Sequence, residues 1–197
     1  MITHFNNFDQ INISLFESYI KENKSNDIIL TVDFGMIPDV KLENDEYLSG
    51  SYAIFLLMKQ IPTAVPLFGP SDIDIVILNK EWKVIKTENF DKVYTSLKNI
   101  EELFKGSDLP TCKIAINNKG TYYFTAQCLI SISKNICYLP IYMKSYQTLY
   151  DKISKYPTRK SAEIMADKIM KRIEKYNKRG FKYVFVDDID PQFISFY

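Results

Sequence analysis

The stretch GPSDIDIVIL (residues 69–78) places two carboxylates at the start of an apolar run. Gly and Pro mark a turn, and the alternation after them is typical of a β-strand. Side chains alternate across a strand, so Asp72 and Asp74 share one face while Ile73 and Ile75 occupy the other. Two carboxylates about 7 Å apart on one face repel each other unless a cation lies between them. The pattern is compatible with a hard divalent ion and, taken alone, with a solvated strand end.

Length and composition indicate one domain with a substantial core. The chain has 197 residues, of which 46% are hydrophobic and 14% aromatic, so global disorder is not expected. The formal net charge of +1 argues against a protein that binds polyanions over its whole surface. We expect a single domain over residues 1–197, with a core at about 27–130 and a C-terminal helix and strand part at 131–197.

The rare residue types exclude several kinds of site. Cys112, Cys128 and Cys137 form no Cys-x-x-Cys pair, which argues against a zinc ribbon or a disulfide scaffold and favours a reducing compartment. His4 is the only histidine, so a Ser-His-Asp triad or a His-rich zinc site is nearly excluded. The N-terminus has no signal-peptide pattern and no apolar run is long enough to span a bilayer, so we expect a cytoplasmic protein with no membrane partner.

Apolar periodicity and turn residues predict a mixed order of helices and strands. Helices are predicted at 11–24, 52–59, 89–104 and 159–178, and strands at 27–34, 72–78, 112–116, 122–126 and 181–186. The segment 129–139 fits either a short helix or a strand. This order indicates an α+β or α/β sheet, and we take α+β, a mixed β-sheet with packed helices, as the fold class.

Two further features support chemistry at the acid pair. Gly50-Ser51 precedes the second predicted helix, where Ser51 is a candidate cap. A glycine lets the backbone approach a ligand, and the first amides of a helix can receive a phosphate. Asp108 follows a later predicted helix at the entry to the next strand, so it is a candidate third carboxylate.

Together these elements resemble the nucleotidyltransferase superfamily, which has the polymerase-beta-like fold. The motif of that family is a Gly-Ser before a helix, two acids flanking an apolar residue, and a later acid on an adjacent strand. Gly50 and Ser51 match the first element, and Asp72 and Asp74 match the second. Asp108 matches the third, with Asp91 as the alternative. The alternative is kept because the chain after Asp108 continues as Leu-Pro, and a proline cannot donate to a central sheet ladder.

The resemblance covers about residues 47–116, and the chain is also similar to compact members of the superfamily from large DNA viruses and some fungi. The stretches that carry this second likeness are PSDIDI (70–75), SDLPTCK (107–113), TAQCL (125–129) and RIEKYNKRGF (172–181).

The resemblance implies a nucleotidyltransferase-like core that moves a nucleoside monophosphate from a nucleoside triphosphate, such as ATP, to a hydroxyl acceptor and releases pyrophosphate. It assigns the catalytic and metal-binding roles to Asp72, Asp74 and Asp108, with Mg²⁺ or Mn²⁺ as the ion. Gly50 and Ser51 would hold the nucleotide phosphates. The acceptor would be a nucleic acid, a protein hydroxyl or a small molecule. Lys113 is assigned to the nucleotide from its place beside Asp108, with a surface lysine as its plainer interpretation.

Other interpretations remain open on the residues alone. The chain fits a catalytically inert member of this fold that acts as a binding or scaffold subunit, or a nucleotide sensor. The last predicted helix region carries a basic run that fits a solvated face or a contact surface for phosphates: Lys168, Lys171, Arg172, Lys175, Lys178, Arg179 and Lys182. A second acid pair, Asp188 and Asp190, is interpreted as part of a solvated C-terminal loop.

Overall fold

The computed structural model describes residues 2–7, 10–23, 28–34, 39–62, 64, 68–69, 72–154 and 159–186. Within these residues the fold is α+β, with a mixed sheet and helices packed on it. The acid pair 188–190 lies outside the described residues.

Eight strands form the main sheet. In spatial order they are β1 (Ile2–Phe5), β2 (Ile29–Asp33), β8 (Thr121–Thr125), β7 (Ile114–Ile116), β3 (Glu46–Ser49), β4 (Asp74–Ile77), β6 (Asp91–Tyr94) and β5 (Lys83–Lys86). β1 pairs with β2 and β4 pairs with β6 in parallel, and the other neighbours are antiparallel. A separate parallel pair joins β9 (Ile136–Pro140) to β10 (Lys182–Val186).

Six α-helices are formed by the described residues. They are α1 (Ile13–Asn23), α2 (Gly50–Gln60), α3 (Ile100–Lys105), α4 (Ala126–Lys134), α5 (Tyr146–Ile153) and α6 (Arg159–Lys178). Short 3₁₀ turns cover Pro110–Cys112 and Ile141–Lys144. No helix in the described ranges is long and apolar enough to cross a membrane.

Strand β4 begins at Asp74, two residues after Asp72, and is buried on both faces beyond its first residue. Ile75 and Ile77 belong to the larger core, which also contains Leu57 of α2. Val76 lies on the opposite face, in a smaller core with Ile100 of α3. The alternation predicted for this strand is therefore confirmed, and it leaves Asp74 at the strand end where both cores stop.

Most of the long predicted elements are confirmed. The helix at 159–178 has the predicted bounds. The strands predicted at 27–34, 72–78 and 181–186 are present but shorter, at Ile29–Asp33, Asp74–Ile77 and Lys182–Val186. The segment 129–139, which fits either a helix or a strand from the sequence, contains both. Helix α4 ends at Lys134, Asn135 follows in the left-handed conformation, and β9 begins at Ile136.

The helix predicted over 89–104 is wrong. Residues 91–94 form β6, and only 100–105 are helical. Val93, Leu97, Ile100 and Phe104 have helical spacing by coincidence, because the first belongs to a strand and the last two to α3. Asn99 caps α3 by accepting a hydrogen bond from the Glu102 amide. This local cap starts the helix eleven residues later than predicted, and parallel pairing with β4 makes 91–94 extended.

Candidate functional site

The start of α2 lies directly against the acid pair. Gly50 has a φ of 66°, and a Cβ built on it would lie 2.2 Å from the Asp74 Oδ2 atom. The contact arises because the preceding residue, Ser49, is opposite Asp74 in the β3–β4 ladder. A side chain at position 50 would meet both backbone strain and a clash with the carboxylate. The glycine therefore permits a close approach between the helix start and Asp74.

Ser51 ties the same helix to the other aspartate. Its hydroxyl donates to Asp72 Oδ1 at 2.8 Å and lies 3.3 Å from the Asp72 carbonyl oxygen. Ser51 is buried, with 2% of its surface exposed. It is not the helix cap, which corrects the prediction: Ser49 occupies the N-cap position and makes no side-chain cap hydrogen bond. The Ser51 hydroxyl instead orients Asp72.

A third carboxylate comes from the neighbouring parallel strand. Asp91 is the register partner of Asp74, and adjacent strands lie about 4.8 Å apart. The Asp91 amide also donates to the Ile73 carbonyl at 2.8 Å. The contact between the two strand segments therefore extends to Ile73, which lies between Asp72 and Asp74. The Lys86 ammonium forms a salt bridge with the Asp91 carboxylate at 3.0 Å. The alternative named from the sequence thus lies beside the acid pair.

The electrostatics of Asp74 reflect this crowding. Burial raises the pKa of the Asp74 carboxyl above its ordinary value, and the charges of Asp72 and Asp91 raise it further. Lys175 and Arg172 act in the opposite direction. A raised pKa means that the negative charge of the carboxylate is not fully balanced by solvent or by nearby cations. Additional positive charge beside Asp74 would therefore be favourable.

Helix α6 brings cations to the acids. Lys175 Nζ lies 3.5 Å from Asp72 Oδ2, with both side chains about half exposed. One turn earlier, the Arg172 guanidinium donates to Asp108 Oδ1. Residues three and four apart share a helix face, so Arg172 and Lys175 point the same way. This pair is the part of the basic run that lies at the acid site.

Asp108 holds a different position from the other acids. It precedes the 3₁₀ turn that contains Pro110, and the structure pairs it with Arg172, whose charge in turn acts on Asp74. Asp108 is therefore placed to hold the Arg172 guanidinium in position. Among the described residues, no three His, Cys, Asp or Glu side chains converge closely enough to hold a metal ion.

Lys113 is buried rather than at the surface. Only 3% of it is exposed, which makes the surface-lysine interpretation wrong, and its charge acts on the Cys128 thiol. Cys128 and Cys137 are buried, while Cys112 is partly exposed. Burial raises the pKa of the Cys137 thiol to about 12, so it is not a reactive thiolate at neutral pH.

Comparison with protein-family models, with curated proteins and with solved structures found no match. The site is therefore interpreted from its own geometry. Sequence reasoning did not single out Lys175 or Lys86 as site residues. The three-residue spacing of Arg172 and Lys175 predicts that they share one helix face. The sequence around them does not indicate that this face lies beside the acid pair.

Proposed function

We propose that this chain is a metal-dependent nucleotidyltransferase, which moves a nucleoside monophosphate from a nucleoside triphosphate to a hydroxyl acceptor and releases pyrophosphate. One observation carries the proposal: the two halves of the motif meet, although they are 21 positions apart in the chain. Gly50 packs against Asp74 and Ser51 donates to Asp72. A solvated strand end needs neither a glycine at positive φ nor a buried serine on its carboxylate.

The ligand chemistry of the acids suits a hard divalent cation, although the described side chains do not converge on one point. Asp72, Asp74 and Asp91 offer only carboxylate oxygens, which are the ligands that Mg²⁺ and Mn²⁺ prefer. The raised pKa of Asp74 supports this fit, because the charged form of that carboxyl gains most from an added cation. We therefore place Asp91 in the role of the third acid. A bound ion would supply charge neutralisation at the phosphoryl group and a lower pKa for the attacking hydroxyl.

The residues around the acids suit the outer phosphates of a nucleotide. The first amides of a helix have no partner within the helix and can receive a phosphate, and Gly50 adds no side chain at the start of α2. Lys175 lies at the same edge and carries a flexible ammonium group, which suits it to follow a phosphate. Arg172 is held beside it by Asp108. Lys113 is buried, and the proposal assigns it no role.

In the transfer, the acceptor oxygen forms a bond to the α-phosphorus while the bond to pyrophosphate breaks. The Ser51 hydroxyl orients Asp72, and the missing side chain of Gly50 leaves the space that the Asp74 carboxylate occupies. Asp91 lies on the strand beyond Asp74, with Lys86 on one oxygen. In this proposal it would help to accept the proton of the acceptor hydroxyl.

A catalytically inert binding or scaffold subunit is the second candidate. It is favoured by Lys175, whose ammonium already lies 3.5 Å from Asp72 and can neutralise the acids without a metal ion. The absence of three converging metal-ligand side chains in the described residues points the same way.

The test is transfer of label from a nucleoside triphosphate carrying an α-³²P phosphate, with Mg²⁺ or Mn²⁺. The natural chain is compared with Asp72→Asn, Asp74→Asn and, as a control, Asp45→Asn, an exposed acid away from the pair. We expect label incorporation by the natural chain and the control, and its loss in the other two. Equal incorporation by all four proteins refutes the proposal. Nucleotide binding without transfer would favour a sensor, and neither binding nor transfer would favour the inert subunit.

A further inference from the structure

The only tryptophan of the chain is exposed at an open edge of the main sheet. Trp82 directly precedes β5 and has 72% of its surface exposed, and Val84 within the strand has 40% exposed. β5 is the last strand in the sheet order of the described residues, so its outer side is unpaired there. An unpaired strand edge with exposed apolar side chains is a template for pairing with another strand. We call residues 80–88 the β5 edge.

The hydrogen bonds of β5 show which of its backbone groups face outward. The Thr87 amide donates to the Phe90 carbonyl at 3.0 Å, so the backbone groups of Thr87 face β6. In an antiparallel pair the N–H and C=O groups of one residue point to the same side, and successive residues alternate. The backbone groups of Trp82, Val84 and Lys86 therefore face outward and are available to a further strand.

The lysines within the strand lean away from the open side. The Lys83 ammonium lies 5.7 Å from the centre of the Tyr94 ring, and the Lys86 ammonium lies 3.0 Å from the Asp91 carboxylate. Tyr94 and Asp91 both belong to β6, on the closed side of β5. Lysines on an edge strand oppose pairing when they stand over the edge. Here they are drawn toward β6, and Trp82 and Val84 remain as the exposed apolar groups.

The charges of the β5 edge are self-complementary in one symmetric register. When two β5 strands pair antiparallel about a two-fold axis, each face of the sheet stays on its own side, so one residue lies opposite itself. With Val84 at this centre, Trp82 lies opposite the partner's Lys86, and their outward-facing backbone groups pair. Just beyond the strand ends, Lys80 comes beside the partner's Glu88. Within the described part of the chain neither Lys80 nor Glu88 forms an ion pair.

The neighbouring registers are less favourable. With Lys83 at the centre, two like-charged side chains would lie opposite each other, which is destabilising. With Ile85 at the centre, Trp82 would lie opposite the partner's Glu88, and no opposite charges would meet. Charge complementarity therefore selects the register centred on Val84.

We propose that the β5 edge joins two copies of this chain in an antiparallel, two-fold dimer with Val84 at its centre. The main sheets of the two copies then continue into one another. Trp82 packs across the partner's Lys86 and reaches the partner's Val84 diagonally. Each tryptophan buries at most about 150–250 Å². The whole interface is therefore below about 1,200 Å², which suits a reversible dimer with a Kd of about 1–100 µM.

The dimer does not rest on the proposed function, because none of the residues of the β5 edge is an acid of the proposed metal site. It does bring the second copy to the border of that site. The partner's Trp82 lies beside Lys86, which contacts Asp91.

The experiment measures the mass of the full chain by sedimentation between about 1 and 500 µM, a range that brackets the expected Kd. Trp82 emission is followed over the same range, since no other tryptophan contributes to the fluorescence. We expect dimers at the upper concentrations and a blue shift as Trp82 leaves water. Trp82→Ala and Val84→Pro should each associate at least about 30-fold more weakly, because a two-fold interface loses every contact twice. The Val84 N–H faces outward, so the proline leaves the bonds to β6 in place.

Charge exchange tests the register. Lys80→Glu and Glu88→Lys should each weaken self-association about 3- to 30-fold, because like charges then meet at both ends of the interface. An equimolar mixture of the two variants should associate at least as tightly as the natural chain, since every end pair is again of opposite sign. Leu15→Ala removes another exposed apolar side chain, 64% exposed on α1, and should leave the dimer unchanged. Circular dichroism and Tm confirm that each variant is folded.

Three results would overturn the inference. The first is a natural chain that stays monomeric at the highest concentration, which would leave the edge to a different occupant. The second is a dimer that Trp82→Ala and Val84→Pro, both folded, do not weaken, because the copies would then meet through another face. The third is a mixture of the two charge variants that associates no more tightly than either variant alone.

Discussion

Replacement of Gly50 by alanine tests the contact on which the proposed site depends. The added Cβ would lie 2.2 Å from Asp74 Oδ2, whereas real Cβ contacts essentially never fall below 3.0 Å. Either the carboxylate or the start of α2 must move by about 0.8 Å or more to reach that limit. A misplacement near 1 Å can cost about 100-fold in rate. We expect Gly50→Ala to lose about 100-fold in transfer activity and to bind Mn²⁺ more weakly.

The effect on stability is smaller and separable. A non-glycine residue at positive φ costs about 1–2 kcal/mol, partly offset by the stiffer unfolded chain of an alanine variant. For a chain of this size, each kcal/mol corresponds to a change of about 2–4 °C in Tm. Gly50→Ala should therefore melt a few degrees below the natural chain while remaining folded at 25 °C.

Two other glycines provide matched controls. Gly120 has a φ of 78° in the turn between β7 and β8, so Gly120→Ala carries the backbone strain away from the acids. Gly69 has no atom within 4 Å of an added Cβ and no positive φ, so Gly69→Ala carries neither effect. We expect a lower Tm for the first and no change for the second, with transfer and Mn²⁺ binding intact in both folded proteins. Gly50→Ala with full activity and full Mn²⁺ affinity would refute the reasoning.

Three more predictions concern the charges of the site. Lys175→Gln should bind Mn²⁺ several-fold more tightly, because a competing cation is gone, and should bind ATP more weakly. Calorimetry should show neither change for the control variant Lys178→Gln. A loss of both Mn²⁺ and ATP affinity in Lys175→Gln would contradict this account. Asp108→Asn should weaken ATP binding through a misplaced Arg172 and leave Mn²⁺ affinity unchanged. A clear loss of Mn²⁺ affinity in that variant would instead make Asp108 a metal ligand. Burial raises the pKa of Asp74 in the folded protein. Between the ordinary pKa and the raised one, Asp74 therefore binds a proton more often in the folded protein than in the unfolded chain. The free energy of unfolding then falls as the pH rises through this window. Asp74→Asn should therefore raise Tm at pH 7 without metal, with the gain vanishing below the ordinary pKa of 3.8; an unchanged or lower Tm at pH 7 would count against it.

The acid pair and the last helix could be predicted because their signals are local. Asp72 and Asp74 lie at the start of a strand whose alternation is visible within a few residues. The bounds of α6 follow from a sustained apolar stripe and from Gly180, which takes a φ of 92° just beyond the helix end. These features do not depend on which other element packs nearby.

Asp91 was named from the sequence only as an alternative to Asp108, and Lys175 only as part of the basic run. Their positions beside the acid pair could not be predicted in the same way, because long-range pairing and packing determine them. Asp91 belongs to a four-residue strand that pairs in parallel with β4, and its surrounding apolar residues imitate a helix. Pro110 was the usable warning against Asp108 as a strand ligand. Lys175 contacts Asp72 only because α6 packs against this end of the sheet, and its own neighbours in sequence contain no sign of that.

The Lys175–Asp72 contact also has a consequence for how the chain matures. It closes a loop of roughly 100 residues, so it is among the last contacts to become possible during synthesis. A nascent chain that has folded β4 and β6 holds three crowded carboxylates before the ribosome has released the helix that compensates them. If the proposed function is correct, divalent ions bound at that stage would stabilise the growing sheet, and a chain truncated before residue 172 should depend on them for folding more than the full chain does.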